Sequence, residues 1–180
     1  METAKIMKTT AQWLEEVKFA PNKLNHWLHR QYIGEVLAAS RIRQLADDCK
    51  NPKHKRVIEK IADDEDNHAE WVKQLLITRN IPIPIPTYEN TRYWAPILGN
   101  EFSFEEVAGV GHHAETMRLS RIRAIAEDGE MDEDIREVFK RILPDETFHA
   151  QAFEAMSTPE AIEYTRKFHV AGTNVLGLEE

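Results

Sequence analysis

The chain has 180 residues, of which 31 are acidic and 23 are lysine or arginine, so its formal net charge is −8. This charge argues against a nucleic acid or an anionic membrane as partner, because both require basic patches. The only cysteine, Cys49, cannot form an internal disulfide, and no CxxC pair is present for a zinc ribbon or a rubredoxin-type centre. Because the sequence has no apolar run of signal-peptide or membrane-spanning type, we expect a cytoplasmic location.

Prolines, a glycine and capping residues divide the sequence into predicted helices. In chain order, these helices span about residues 10–19, 22–49, 52–79, 103–129 and 132–156, with a shorter one that starts at Thr158-Pro159. Ser103 with Glu106 forms a capping box that is typical of a helix start, and Gly129 is predicted to end that helix. Strand signals are essentially absent.

A proline-rich segment separates the two pairs of long helices. It begins "IPIPIPTYENTRYWAPILGN", and its alternating prolines exclude a helix and favour an extended path. This crossover, residues 81–102, is long enough to travel the length of a bundle. We therefore predict one all-α domain over residues 1–180: a ferritin-like four-helix bundle with one long crossover and short N-terminal and C-terminal helices. The core of the bundle is expected at about residues 22–156.

The two halves of the chain resemble each other. "EVLAASRIRQLADD" begins at Glu35 and "ETMRLSRIRAIAED" at Glu115, an offset of 80 residues. "VIEKIADDEDNHA" from Val57 matches "VFKRILPDETFHA" from Val138 at an offset of 81. The repeat indicates one helical hairpin used twice, with the halves related by a pseudo-twofold axis.

Each half carries a glutamate on one helix and Glu-x-x-His on the next. Residues three apart in a helix lie about 60° from each other, so each glutamate points the same way as its histidine. The six residues with this pattern are Glu35, Glu65, His68, Glu115, Glu146 and His149, and their helical neighbours are apolar. Four buried carboxylates are costly without cations, and two divalent ions would balance them. Mixed oxygen and nitrogen ligation favours iron, or manganese as the alternative, over zinc.

Over about residues 22–156, this six-residue set resembles the ferritin-like di-iron carboxylate superfamily, of bacterioferritin and rubrerythrin type. The resemblance implies that Glu35 and Glu115 are terminal ligands, that Glu65 and Glu146 bridge two metal ions, and that His68 and His149 each bind one ion. It further implies that Asp64 and Asp145 accept hydrogen bonds from the opposite ligand histidines. The alternative is that both aspartates are ordinary exposed residues.

The sequence departs from known branches of this superfamily at several places. Asp66 and Thr147 stand where bacterioferritins carry the haem-binding methionine, so no haem is expected. Rubrerythrins typically have an additional glutamate where this chain has Arg118, which argues against a peroxidase of that type. Tyr32 and His112 each precede a ligand glutamate by three residues, and a proton or electron relay is one interpretation. A core aromatic and a structurally satisfied histidine are the alternatives.

The predicted function is a di-iron oxidoreductase that activates dioxygen or peroxide and takes electrons from an external donor. A small-molecule substrate would occupy space beside Gly109 and Gly111, although these glycines could equally allow close helix packing. Oxygenation, simple oxidation and peroxide reduction all remain open. The alternatives are a ferroxidase or iron-handling protein, as a storage shell or a smaller homo-oligomer, and a purely structural bundle.

Overall fold

A computed structural model describes residues 7–87 and 92–179. The described chain forms six helices: α1 (Thr10–Lys18), α2 (Pro21–Asp48), α3 (Pro52–Thr78), α4 (Phe104–Glu127), α5 (Glu133–Met156) and α6 (Pro159–Leu176). Within these ranges there is no strand, and a single parallel bridge joins Lys8 to Leu178. The predicted all-α fold is confirmed. None of the described helices combines the length and the apolar character that crossing a bilayer requires.

Both ends of α4 lie within two residues of the predicted positions. The Ser103 hydroxyl accepts from the Glu106 amide at 3.2 Å, and the Glu106 carboxylate accepts from the Ser103 amide at 2.8 Å. Helix α4 ends at Glu127, with Asp128 as its C-terminal cap and Gly129 directly after the cap. The positive-φ glycines of the described residues are Gly99 and Gly177, so Gly129 does not adopt a left-handed conformation there. The Asp128 carboxylate accepts hydrogen bonds from the amides of Glu130 and Met131.

The helices pack as two hairpins, α2 with α3 and α4 with α5, and α3 also contacts α5. Connections of three and five residues join the members of each hairpin, which therefore run antiparallel. Helix α6 covers α4, and α1 packs against α2 and α4. Gly109 makes the α4–α6 approach possible, since a Cβ there would lie 2.9 Å from the Thr165 hydroxyl.

The second half of the crossover packs against the bundle. Tyr93 and Ile97 are buried and contact Val110 and Ala114 of α4. The described part of the proline-rich stretch, residues 81–87, has no regular secondary structure, as predicted. The crossover therefore forms one wall of the space beside α4.

Two apolar clusters fill the bundle at different heights. The first contains Leu24, Trp27, Leu28, Val72, Leu75, Leu76, Ile122, Ile125, Ile135, Phe139 and Ile142, among others. The second contains Ala38, Ile42, Ala46, Ile58, Ile61, Ala62, Ala108, Phe153 and Met156. Along each of the four long helices, the predicted ligand positions fall between the two clusters. The order of the clusters along α2 to α5 gives an up-down-down-up bundle, so the crossover must run the length of the molecule.

Candidate metal centre

Six side chains from four helices meet between the apolar clusters. They are Glu35 from α2, Glu65 and His68 from α3, Glu115 from α4, and Glu146 and His149 from α5; five are fully buried and Glu115 is 4% exposed. They form two overlapping groups, one with Glu35 and His68 and the other with Glu115 and His149. Both groups include Glu65 and Glu146, and the donor atoms within each lie no more than 4.8 Å apart. This sharing is the geometry that two bridging glutamates would require.

Many polar atoms at this centre have no hydrogen-bond partner. These atoms are both carboxylate oxygens of Glu35 and Glu65, one oxygen each of Glu115 and Glu146, and Nδ1 of His68 and His149. Buried polar groups are nearly always hydrogen-bonded, and each exception carries a desolvation cost. Six carboxylate oxygens and two imidazole nitrogens facing one small volume form a donor set that fits a pair of divalent cations such as iron or manganese.

Aspartates from the opposite half of the repeat orient both histidines. His68 Nε2 lies 3.2 Å from Asp145 Oδ2, and His149 Nε2 lies 3.3 Å from Asp64 Oδ2. An ionised carboxylate can only accept, so Nε2 carries the proton and donates it in each pair. Nδ1 of each ring then faces the glutamates: His149 Nδ1 is 3.2 Å from Glu65 Oε1. An imidazole held in this way presents a fixed nitrogen to a metal ion.

Arg118 also enters this centre. Its guanidinium contacts all four glutamates, at 2.5 Å from Glu35, 3.2 Å from Glu146, and 3.5 Å from both Glu65 and Glu115. Only the contact to Glu146 has hydrogen-bond geometry; the close approach to Glu35 is an ion contact without an aligned hydrogen bond. Sequence reasoning did not include Arg118 in the site, although its position three residues after Glu115 places it on the same face of α4.

The protein groups shift the pKa values of the carboxyls in opposite directions. Burial raises the pKa of Glu65 and Glu115 well above the ordinary value. Burial also acts on Glu35 and Glu146, but there Arg118, with help from His68, outweighs it and holds the pKa below the ordinary value. The ionised form is therefore favoured at Glu35 and Glu146, and the protonated form at Glu65 and Glu115.

The two histidines also differ in pKa. Burial alone would lower the pKa of His68, but the nearby carboxylates of Glu146 and Glu35 raise it to about 10. At His149 burial dominates and lowers the pKa. The two imidazoles related by the pseudo-twofold axis therefore differ in the direction in which their pKa values are shifted.

The two predicted relay residues lie in different surroundings. Tyr32 is half-buried and packs against the first apolar cluster. His112 donates from Nδ1 to the Ala150 backbone oxygen at 3.0 Å, so only its Nε2 remains to exchange a proton. A relay role for either residue stays a prediction.

Two histidines without a predicted role lie where the crossover meets α4 and α6. The rings of His113 on α4 and His169 on α6 stack with centroids 4.8 Å apart. The Tyr93 hydroxyl of the crossover lies 2.7 Å from His169 Nδ1. These contacts hold the crossover against α4 and α6.

The helix order, the single crossover and the six converging side chains define a class of protein. The chain is a member of the ferritin-like di-iron superfamily, and its buried carboxylate and histidine cluster fits a di-metal site. A family model described as rubrerythrin matches residues 26–157, which include α3, α4 and all six candidate ligands. The chain belongs to the rubrerythrin family. Comparisons with curated proteins and with solved structures gave no match.

Proposed function

We propose that the protein is an oxidoreductase that uses a pair of metal ions, with iron preferred over manganese, to react with dioxygen or peroxide. The cluster of buried donor atoms without a hydrogen-bond partner carries this proposal. Glu35 and His68 would hold one ion, Glu115 and His149 the other, and Glu65 and Glu146 both. Iron bound in this way supplies electron-transfer and oxygen chemistry that no side chain of the centre can supply.

The chain contributes charge, orientation and exclusion of water. The four glutamates neutralise the ions, and Asp64 and Asp145 fix which nitrogen of each histidine faces them. The two apolar clusters above and below the centre keep bulk water away from it. Arg118 places a permanent positive charge beside the carboxylates.

The electrons, on this proposal, come from a separate donor. The sequence offers a single cysteine, Cys49, and so cannot build a rubredoxin-type centre of its own. A reducing compartment such as the cytoplasm suits both an unpaired cysteine and ferrous iron.

A ferroxidase in an iron-handling protein is the second candidate, because it would use the same ligands. An apolar cavity that reaches Glu115 favours the oxidoreductase, since iron entry requires polar groups instead. Gel filtration and iron analysis separate the two. A monomer or small oligomer with two ions per chain supports the enzyme, whereas a large shell that retains mineralised iron supports storage.

The first prediction concerns the bridging glutamates. Glu65→Ala and Glu146→Ala should each abolish binding of the metal pair, because each glutamate lies in both groups of donor atoms. The measurement is the iron and manganese content per chain after anaerobic reconstitution.

Exposed glutamates on the same helices provide matched controls. Glu59→Ala on α3 and Glu154→Ala on α5 should retain both ions, because these side chains face solvent. Two ions per chain in the Glu65→Ala or Glu146→Ala protein would refute the ligand assignment.

A further inference from the structure

Two cavities lie side by side between α2, α4 and the crossover. The inner cavity, of about 210 Å³, reaches Glu115 and Arg118 of the metal centre. Most of its remaining wall is apolar and includes Ala38, Ile42, Val110, Ala114 and Phe153. An apolar cavity of about 150 Å³ holds a benzene molecule, so the inner cavity has room for a substituted ring or a short alkyl chain.

The outer cavity, of about 300 Å³, continues from the inner one. The two share Gly34, Arg41, Tyr93, Trp94, Met117 and Arg118 in their walls. Five arginines line the outer cavity: Arg30, Arg41, Arg92, Arg118 and Arg121. No aspartate or glutamate of the described ranges lines it. The guanidinium of Arg118 turns to the four glutamates of the metal centre.

Arg121 shows the electrostatic character of the outer cavity most directly. Arg79, for comparison, forms ion pairs with Asp132 and Asp134. Burial lowers the pKa of Arg121 to about 10, and no carboxylate in the described part of the chain offsets the effect. The guanidinium carbon of Arg121 lies 5.0 Å from the centre of the Trp13 ring. A partly buried guanidinium in such surroundings is stabilised by a bound anion.

Gly34 lies where the two cavities join. It sits in the interior of α2, where glycine is less favourable than alanine. A Cβ at this position would meet no atom within 4 Å, so close packing does not require the glycine. Because Gly34 lines both cavities, the absence of a side chain there keeps the passage between them open.

We infer that the two cavities together bind one organic anion, with its apolar body in the inner cavity and its carboxylate-type head group among the arginines of the outer cavity. This places the apolar end of the molecule against Glu115, beside the metal centre. The inference rests on the proposed function only in taking this anion to be the substrate. Binding itself depends on the cavities alone.

Matched eight-carbon probes test the inference. Calorimetric titration of the metal-loaded protein, and of the protein after chelation, should show octanoate binding at least about tenfold more tightly than octan-1-ol. Equal affinities for the acid and the alcohol, or binding of neither, would overturn the inference.

Variants locate the two parts of the site. Arg121→Gln should weaken octanoate binding about tenfold and leave octan-1-ol unchanged. Arg123→Gln, at an exposed position on the same helix, should leave the affinities for octanoate and octan-1-ol unchanged. Gly34→Leu should block both probes while the metal content stays the same. Equal effects of Arg121→Gln and Arg123→Gln would contradict the placement of the head group.

Metal content and octanoate binding are measured independently, so the proposed function and the proposed anion site can be refuted separately. A protein that prefers octanoate but holds no metal pair would refute the proposed function and leave the anion site standing. A protein that holds both metal ions but does not prefer octanoate would refute the anion site and leave the proposed function standing.

Discussion

Arg118 distinguishes this centre from the pattern of its family. Rubrerythrins typically carry a glutamate three residues after the ligand on the third long helix, and this chain has an arginine there. Burying a guanidinium is unfavourable unless acids surround it, and Arg118 contacts four. The side chain therefore serves as a built-in counter-ion for the carboxylates.

This role gives Arg118→Gln two effects of opposite sign. The chelated protein should lose about 3 kcal/mol of unfolding free energy, because the carboxylates lose their buried partner. Metal affinity should rise at least about tenfold, because a positive charge that repels the ions is removed. Urea unfolding of the chelated protein and competition with a metal-binding dye measure the two effects.

Arg123→Gln is the control for both measurements, since Arg123 is exposed on the same helix. An Arg118→Gln protein with unchanged metal affinity would show that the guanidinium does not compete with the ions.

The sequence alone predicted the positions of the six candidate ligands but not that of Arg118. Glu65 and His68 are short side chains, and their spacing on the helix nearly determines where their donor atoms lie. Arginine has a long, flexible side chain, so its guanidinium can reach the centre or turn toward solvent from the same backbone position. The charges around Arg118 determine which of the two directions its guanidinium takes. Those charges come from four different helices, so they are known only from the folded structure.

At the level of the helices, two interior glycines have different reasons for being there. Gly109 allows α6 to approach α4, because a Cβ would lie 2.9 Å from the Thr165 hydroxyl and 3.3 Å from the Ala161 backbone oxygen. Gly34 faces open space. Replacement by alanine should therefore raise the free energy of unfolding at Gly34 and lower it at Gly109.

Gly34→Ala should stabilise the protein by roughly 0.5–1 kcal/mol, the usual gain from replacing a helix-interior glycine. Gly109→Ala should destabilise it by about 1–3 kcal/mol, because the added methyl overpacks the α4–α6 contact. Denaturant midpoints of the two variants, measured side by side, check this prediction. A stabilising Gly109→Ala would show that α6 does not pack closely against α4.

The helix boundaries were predictable to within one or two residues, because Thr9, Asn51, Ser103 and Thr158 cap helices through local hydrogen bonds. At the end of α4, the turn that contains Gly129 is held by hydrogen bonds from the Glu130 and Met131 amides to the Asp128 carboxylate. Burial of Tyr93 was not predictable, since a proline-rich segment gives no sign of which of its residues contact a distant helix.

At the scale of the whole molecule, the ionisable centre makes the stability of the fold depend on pH. The folded-state pKa values of Glu65 and Glu115 lie above those of free glutamate, and that of His68 lies above free histidine at about 10. Each of these groups holds its proton more firmly in the folded protein. Their contribution to stability is therefore fully present at low pH and is lost as pH rises toward the folded-state values.

The chelated protein should consequently lose stability between about pH 6.5 and about pH 10, the ordinary and folded-state pKa values of His68, by up to roughly 1.4 kcal/mol per pH unit for each proton released. The metal-loaded protein should be nearly insensitive over this range, because bound ions keep the glutamates ionised. His149, with its lowered pKa, is already neutral there and adds no slope. Urea unfolding at several pH values, with and without chelator, measures both curves; equal slopes would mean that the centre is not buried.

The offset of 80 residues that matches Glu35 with Glu115 also matches Ala38 with Arg118. Ala38 lines the inner cavity, while Arg118 reaches the carboxylates. An arginine in both copies would crowd out any guest molecule, and an alanine in both would leave the acids without a resident cation. The two equivalent positions therefore serve different ends: the first hairpin leaves space beside the centre, and the second provides a positive charge.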